Sequence, residues 1–257
     1  PLIGGIFMEK YTKEFIIPYY DTDKNGHIKI DSLLAYMEET SSFHSDALGI
    51  GVEELGKNNY GWMLNRWRAR FFKFPKVKDK VIIDTWTSGF DKFYAYREFA
   101  VYDVNKEPIC NATSLWIFLD VEKKRPIRVP KEFNGIYKIV DEKLMHDFAD
   151  FRDDFTTKEG MDFHVRRSDI DYNQHVNNVK YLDWILETVP EDVYENYQLH
   201  ELDIQYKKEL KLGTTIDSLI LEEKDNKNPT YLHKITNRKE INAYGRTEWI
   251  PLKKIEI

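Results

Sequence analysis

A polar segment that occurs twice constrains this chain more than any other feature. Phe15-Ile16-Ile17-Pro18-Tyr19-Tyr20-Asp21-Thr22-Asp23-Lys24-Asn25-Gly26-His27 aligns without gaps on Phe163-His164-Val165-Arg166-Arg167-Ser168-Asp169-Ile170-Asp171-Tyr172-Asn173-Gln174-His175, so Asp-x-Asp-x-Asn-x-His is present in two copies. The match runs on downstream, where Glu39-Thr40 falls on Glu187-Thr188. Apolar residues spaced by three and four predict an amphipathic helix after each copy: Ile30, Leu33, Leu34 and Met37 in the first, Val179, Leu182, Leu186 and Val189 in the second. Self-similarity on this scale predicts two copies of one domain. Asn177 and Asn178 stand where a helix N-cap belongs, and the free N–H groups and positive dipole end of a helix there can stabilise a developing oxyanion.

The 257 residues suffice for two domains of about 100 to 130 residues each. We place an N-terminal domain at 8–135, a charged connector with a short helix at 136–160, and a C-terminal domain at 161–257; Asp141, Glu142, Lys143, Asp147, Asp150, Arg152, Asp153 and Asp154 dominate the connector. Strands are expected at 14–19, 62–72, 81–86, 93–102 and 109–119, with turns at Ser88-Gly89 and Asn105-Lys106. The second copy repeats the plan, with strands at 161–167, 199–211, 214–224, 229–238 and 241–252 and a helix to about 189. Alternation puts Arg66, Arg68 and Arg70 on one strand face and Trp67, Ala69 and Phe71 on the other. Thr113-Ser114-Leu115-Trp116 parallels Arg246-Thr247-Glu248-Trp249 in the closing strands. Each copy is thus an antiparallel sheet wrapped around one long helix, an α+β arrangement.

Composition narrows the function. A net charge of −6 argues against a general nucleic-acid binder, and no run approaches the roughly 18 apolar residues of a membrane span. One cysteine, Cys110, rules out an intrachain disulfide framework and a zinc ribbon and fits a reducing compartment, so a soluble cytoplasmic protein is expected. Residues 1–7 precede Met8 and stay outside the fold reasoning.

The layout, and above all Asp171-x-Asn173-x-His175-Val176-Asn177-Asn178-x-Lys180-Tyr181-x-x-Trp184, resembles the acyl-acyl carrier protein thioesterases, which carry two hotdog domains in tandem. The resemblance covers about residue 10 to the C-terminus. It implies hydrolysis of the thioester between a fatty acyl chain and the phosphopantetheine of acyl carrier protein, without metal or redox cofactor. It makes Asp171, Asn173 and His175 catalytic positions and Glu209 the carboxylate that activates water, with Asn173 and His175 polarising the reactants and Asp171 orienting them. Thioester hydrolysis needs such a base, oxyanion donors and help for the departing thiolate. An acyl-CoA thioesterase of the same fold and a non-enzymatic acyl-binding double hotdog are the alternatives, and a homodimer stays open.

Each residue has an ordinary structural reading beside the functional one. The polar cluster can simply satisfy backbone groups at a helix start, and alternation makes Glu209 an exposed strand residue. Plant members place a cysteine after that glutamate, where this chain has Leu210; Cys110 reads as a small buried residue, so a Cys–His mechanism is not expected. The first copy imitates the start of an EF-hand loop, but the twelfth position is Ser32 where a bidentate Glu is required. By resemblance the N-terminal half shapes the acyl pocket, so Asp23, Asn25 and His27 rank below the second copy. Arg66, Arg68 and Arg70, with Lys73, Lys76, Lys78 and Lys80, form either a docking patch for the acidic carrier or a solvated sheet face. His44, His146, His164, His200 and His233 show no mutual metal spacing.

Overall fold

The computed structural model describes residues 9–145, 147–151, 157–171, 174–224 and 226–252. These fall into two compact units: the described residues up to 65 with 72–145, and residues 66–71 with the described residues from 147 onward. The first unit holds β1 (Tyr11–Ile16), α1 (Ile30–Ala47), α2 (Val52–Gly56), the first half of β2 (Tyr60–Phe71), β3 (Lys80–Asp91), β4 (Tyr94–Tyr102), β5 (Pro108–Asp120), β6 (Arg125–Pro126) and α3 (Phe133–Tyr137). Its strands run in the order β1-β3-β4-β5-β2, with β6 paired to β5. The second unit holds β7 (Gly160–His164), α4 (Asn178–Leu186), α5 (Glu191–Asn196), β8 (Tyr197–Tyr206), β9 (Thr215–Glu222), β10 (Thr230–Thr236) and β11 (Ile241–Pro251). Here Arg66–Phe71 of β2 pairs with β8, followed by β11, β10, β9 and β7.

The stripes read from the sequence lie on the buried faces, with Ile30 and Leu186 only half-buried. Leu33, Leu34 and Met37 are essentially inaccessible, and α1 packs on β3 and β1; Leu182 and Ile185 are fully buried, and α4 packs on β9 and β10. Each such side chain stabilises its unit by about 1.5–3 kcal/mol relative to exposure. The closing strands match in detail as well. The indole N–H of Trp116 donates to Ser114 Oγ at 2.7 Å, and that of Trp249 donates to Thr247 Oγ1 at 3.0 Å.

Several expectations need correction. β3 runs through Ser88-Gly89 with a bulge there, and the reversal lies at Lys92-Phe93, where Lys92 takes φ +52°. β8 ends at Tyr206 and not near 211, and α4 ends at Leu186, before Pro190 opens the short α5. The start of the charged connector packs on the first unit. Phe133 and Tyr137 of α3 are buried with Leu55 and Phe118, and Met145 N donates to Thr113 Oγ1 at 3.2 Å. Asp141, Glu142, Lys143, Asp147 and Asp150 lie in described parts of the connector, whereas Arg152, Asp153 and Asp154 lie outside the described residues. No helix among the described residues is long and apolar enough to cross a membrane.

One buried group makes stability depend on pH. His233 on β10 is fully buried, with Nε2 2.9 Å from Thr247 Oγ1 and Nδ1 3.5 Å from Thr188 Oγ1. Burial pushes its pKa down to about 3, so the folded ring is neutral. The unfolded chain binds a proton near the ordinary value of about 6.5 that the folded chain refuses. Stability from this group is therefore complete above that value and is lost as pH falls toward 3, at ~1.4 kcal/mol per pH unit. Urea unfolding of wild type and His233→Gln at pH 7, 6 and 5 should show the steeper loss in wild type; parallel losses would assign the acid sensitivity to other groups.

Candidate active site

Both copies of the motif fold into one turn because a single carboxylate holds each. In the second copy Asp171 Oδ1 accepts from His175 N at 3.2 Å, Asp171 N donates to His175 O at 2.8 Å, and Gln174 N donates to Asp171 O at 3.1 Å. In the first, Asp23 Oδ1 accepts from His27 N at 2.9 Å, Asp23 N donates to His27 O at 2.8 Å, and Gly26 N donates to Asp23 O at 3.0 Å. Bridges between Thr22 and Ile28 and between Ile170 and Val176 close the two turns. The sixth residue is left-handed in both, Gly26 at φ +76° and Gln174 at φ +65°. Glycine adopts this freely, whereas glutamine stores on the order of 1 kcal/mol. That strain sits directly before His175. Asn177 then caps α4, its Oδ1 accepting from Val179 N at 3.1 Å, while Asn178 is the first helical residue. Asn173 lies outside the described residues.

Glu209 is not a strand residue. It stands on the loop after β8, which is pinned on both sides of it. Lys207 N and Lys208 N donate to Asn242 O at 2.9 and 3.3 Å, Asn242 Nδ2 donates to Lys208 O at 3.2 Å, and Leu210 N donates to the Tyr181 hydroxyl at 3.1 Å. Burial, reinforced by the Glu209 charge, keeps the Tyr181 phenol far above its usual range and therefore protonated. Leu210 is buried, whereas the Glu209 side chain turns outward and comes 3.4 Å from His175 Nε2. Both side chains are more than half exposed, at 53% and 60%. The structure thus brings His175, Asp171 and Glu209 together at one helix start. Tyr181 and Asn242, which hold the acid in place, were not singled out from the sequence for that role; the one available signal for Asn242 is an asparagine among apolar residues of a strand.

The first copy lacks the acid. Ile17 and Val165 meet their loops through the same pair of bonds: Lys78 N to Ile17 O at 2.9 Å and Ile17 N to Asp79 O at 3.0 Å, against Gly213 N to Val165 O at 3.0 Å and Val165 N to Thr214 O at 2.9 Å. Lys78 and Gly213 are both left-handed, at φ +71° and +79°. Counted back along the loop from that match, Phe74 occupies the position of Glu209. His27 accordingly faces no equivalent carboxylate from this loop. Cys110 is buried in β5 of the first unit.

The three arginines share a face, as alternation predicts, but it is not an open basic face. Arg66 is 8% exposed; its Nε donates to Asp203 Oδ1 at 2.7 Å, its Nη2 donates to Ala149 O, and its guanidinium lies 4.8 Å over the rings of Phe148 and Phe151. Arg70 Nε donates to Glu201 Oε1 at 2.8 Å, and Arg68 stands 3.5 Å from the same carboxylate. Phe148, Ala149 and Phe151 pack on Arg66, and Glu201 and Asp203 pair with the three arginines, so this face presents paired charge, with Arg70 alone keeping 42% of its side chain exposed. A cavity of about 290 Å³ on this side is lined by Arg68, Phe148, Glu201, Asp203 and Arg246 and includes neither His175 nor Glu209. Among the described residues no cluster of His, Cys, Asp and Glu could hold a metal ion.

The acyl-ACP thioesterase N-terminal domain family matches residues 8–137 and the C-terminal domain family matches residues 153–251. The chain is 27% identical, over 94% of its length, to a chloroplastic acyl-(acyl-carrier-protein) hydrolase of Cuphea viscosissima, and spans 62% of that protein. It is 28% identical, again over 94% of its length, to the chloroplastic palmitoyl-acyl carrier protein thioesterase of Gossypium hirsutum, of which it spans 64%. In fold it is similar to an acyl-ACP thioesterase of Bacteroides thetaiotaomicron, with a TM-score of 0.86, 21% identity and coverage of 94% of this chain and 98% of that one.

Proposed function

Because this chain belongs to the acyl-ACP thioesterase family, we propose that it hydrolyses fatty acyl thioesters of acyl carrier protein to free fatty acid and carrier. The observation that carries the reading is the meeting of Glu209 with His175, 3.4 Å apart and open to water, on a turn that Asp171 braces. In this mechanism Glu209 takes a proton from the water that attacks the thioester carbonyl, and the carbonyl oxygen becomes an oxyanion. Asn173 and the N-terminus of α4 stabilise that charge, His175 polarises and positions the reactants, and Asp171 fixes the histidine's backbone. Collapse of the tetrahedral intermediate breaks the C–S bond, and the proton held by Glu209 passes to the departing sulfur. Cytoplasmic residence is part of the same proposal, in keeping with a single, buried cysteine.

Purified protein should release free fatty acid from acyl carrier protein thioesters. His175→Ala should lower kcat by roughly a hundredfold or more, and His27→Ala by only a few-fold, because Phe74 replaces the acid in the first copy. Intact acyl carrier protein after incubation with wild type would overturn the activity, and equal losses from the two histidines would overturn the assignment of one site.

A further inference from the structure

The exposed positive charge that the arginine strand does not offer lies beside the candidate site itself. Arg167, in the turn that precedes the second motif, and Lys207, Lys208 and Lys211, on the loop that carries Glu209, are all exposed. The two segments are tied together by Val165 and its bonds to Gly213 and Thr214. Among the described residues none of these four cations forms an ion pair, whereas Arg66, Arg68, Arg70, Arg238 and Arg246 of the same unit all face carboxylates. In a chain of net charge −6 this leaves an uncompensated basic rim around its candidate general base.

The first copy serves as an internal control, since the same scaffold carries different side chains at the same places. Tyr19 stands for Arg167, Phe72 for Lys207, Lys73 for Lys208 and Lys76 for Lys211. Tyr19 is uncharged and 77% exposed, and Lys73 is bound to Asp103 at 2.6 Å. At these four places the second copy carries four exposed cations without an ion pair among the described residues, whereas the first carries two aromatic residues, one paired lysine and a single such cation, Lys76. Nothing in the packing of the loop calls for these charges, because its anchors are backbone groups, Asn242 and Tyr181.

We propose that Arg167, Lys207, Lys208 and Lys211 form the docking surface for the acidic face of the carrier protein, which delivers its phosphopantetheine arm beside Glu209 and His175. The inference rests on the thioesterase reading above. Exposed cations contribute little to folding stability but raise the local concentration of an acidic partner and speed its encounter, an effect that salt screens. The carrier is the source favoured here because four charges spread over two segments fit a broad surface better than one phosphate group.

Binding of holo carrier protein, which requires no turnover, gives the primary test, with Lys207→Glu/Lys211→Glu and Arg167→Glu as variants. Circular dichroism and the milder Lys207→Gln/Lys211→Gln protein guard against misfolding. At low salt the double reversal should raise Kd for holo carrier and KM for acyl carrier by roughly tenfold or more and flatten their salt dependence. Hydrolysis of a neutral acyl-N-acetylcysteamine thioester should fall far less. Unchanged holo-carrier binding overturns the proposal. So does an equal loss on carrier, coenzyme A and neutral thioesters, which would make the lysines supports of Glu209. A loss on acyl-CoA as large as that on acyl carrier would mark a phosphate site instead. Failure of the thioesterase reading looks different: wild type would leave every acyl thioester intact, while the holo-carrier measurement would still decide the surface.

Discussion

Glu209→Gln should lower kcat for acyl carrier protein by on the order of a hundred- to ten-thousand-fold, with KM nearly unchanged. The substitution keeps the side chain's size and the loop's anchors, since Asn242 and Tyr181 hold the backbone on either side of it. What it removes is the proton acceptor, and a positioned general base contributes about that range of rate. A loss confined to kcat is the signature of an interaction made only in the transition state. The reciprocal change, Phe74→Glu in the first copy, should not restore activity to Glu209→Gln, because Tyr19 and Phe72 stand there in place of Arg167 and Lys207, two of the cations proposed to dock the carrier. Steady-state kinetics on one acyl carrier protein substrate checks both. A Glu209→Gln enzyme with normal kcat would remove the residue from the mechanism and leave Asp171 as the remaining carboxylate near His175.

The largest effect on stability is expected at Asp203. Asp203 is 5% exposed, and its carboxylate accepts from Arg66 Nε at 2.7 Å and from Ala149 N at 2.6 Å. Asp203→Ala leaves the Arg66 guanidinium buried between Phe148 and Phe151 without its counter-charge, which should destabilise the C-terminal unit by about 3–5 kcal/mol. The pair itself stabilises far less than that. Arg66→Met combined with Asp203→Leu replaces both charges by apolar groups and should recover most of the loss, because the cost comes from an orphaned ion and not from an absent bond. Urea unfolding of the two single variants and the double variant measures the coupling. An Asp203→Ala protein within 1 kcal/mol of wild type would mean that water reaches Arg66 and that the strand face is more open than its packing implies.

The two halves of the site were legible to different degrees, and the reason lies in the distance along the chain over which each is held. The motif turns at Asp23–His27 and Asp171–His175, the cap at Asn177 and the stripes of α1 and α4 depend on bonds and contacts within a few residues, so spacing in the sequence was enough to place them. The duplication followed for the same reason, because each copy carries its own local code. Strand alternation likewise grouped Arg66, Arg68 and Arg70 on one face.

Tertiary structure alone decided which way that face looks. Phe148 and Phe151 pack on Arg66 from far along the chain, and Glu201 and Asp203 arrive on β8, so a stripe that reads as a solvated patch becomes a set of buried or paired charges. Ser88-Gly89 stays in a strand because β4 supplies its partners, against the turn preference of the dipeptide. The approach of Glu209 to His175 is of this kind too. Alternation assigned Glu209 to a strand, but β8 stops at Tyr206 and the loop is set by Asn242 from β11 and Tyr181 from α4. Its counterpart in the first copy, Phe74, can be recognised only after the bonds of Ile17 and Val165 align the two loops. Short-range hydrogen bonds and periodicity thus placed the histidine, whereas long-range packing placed its acid.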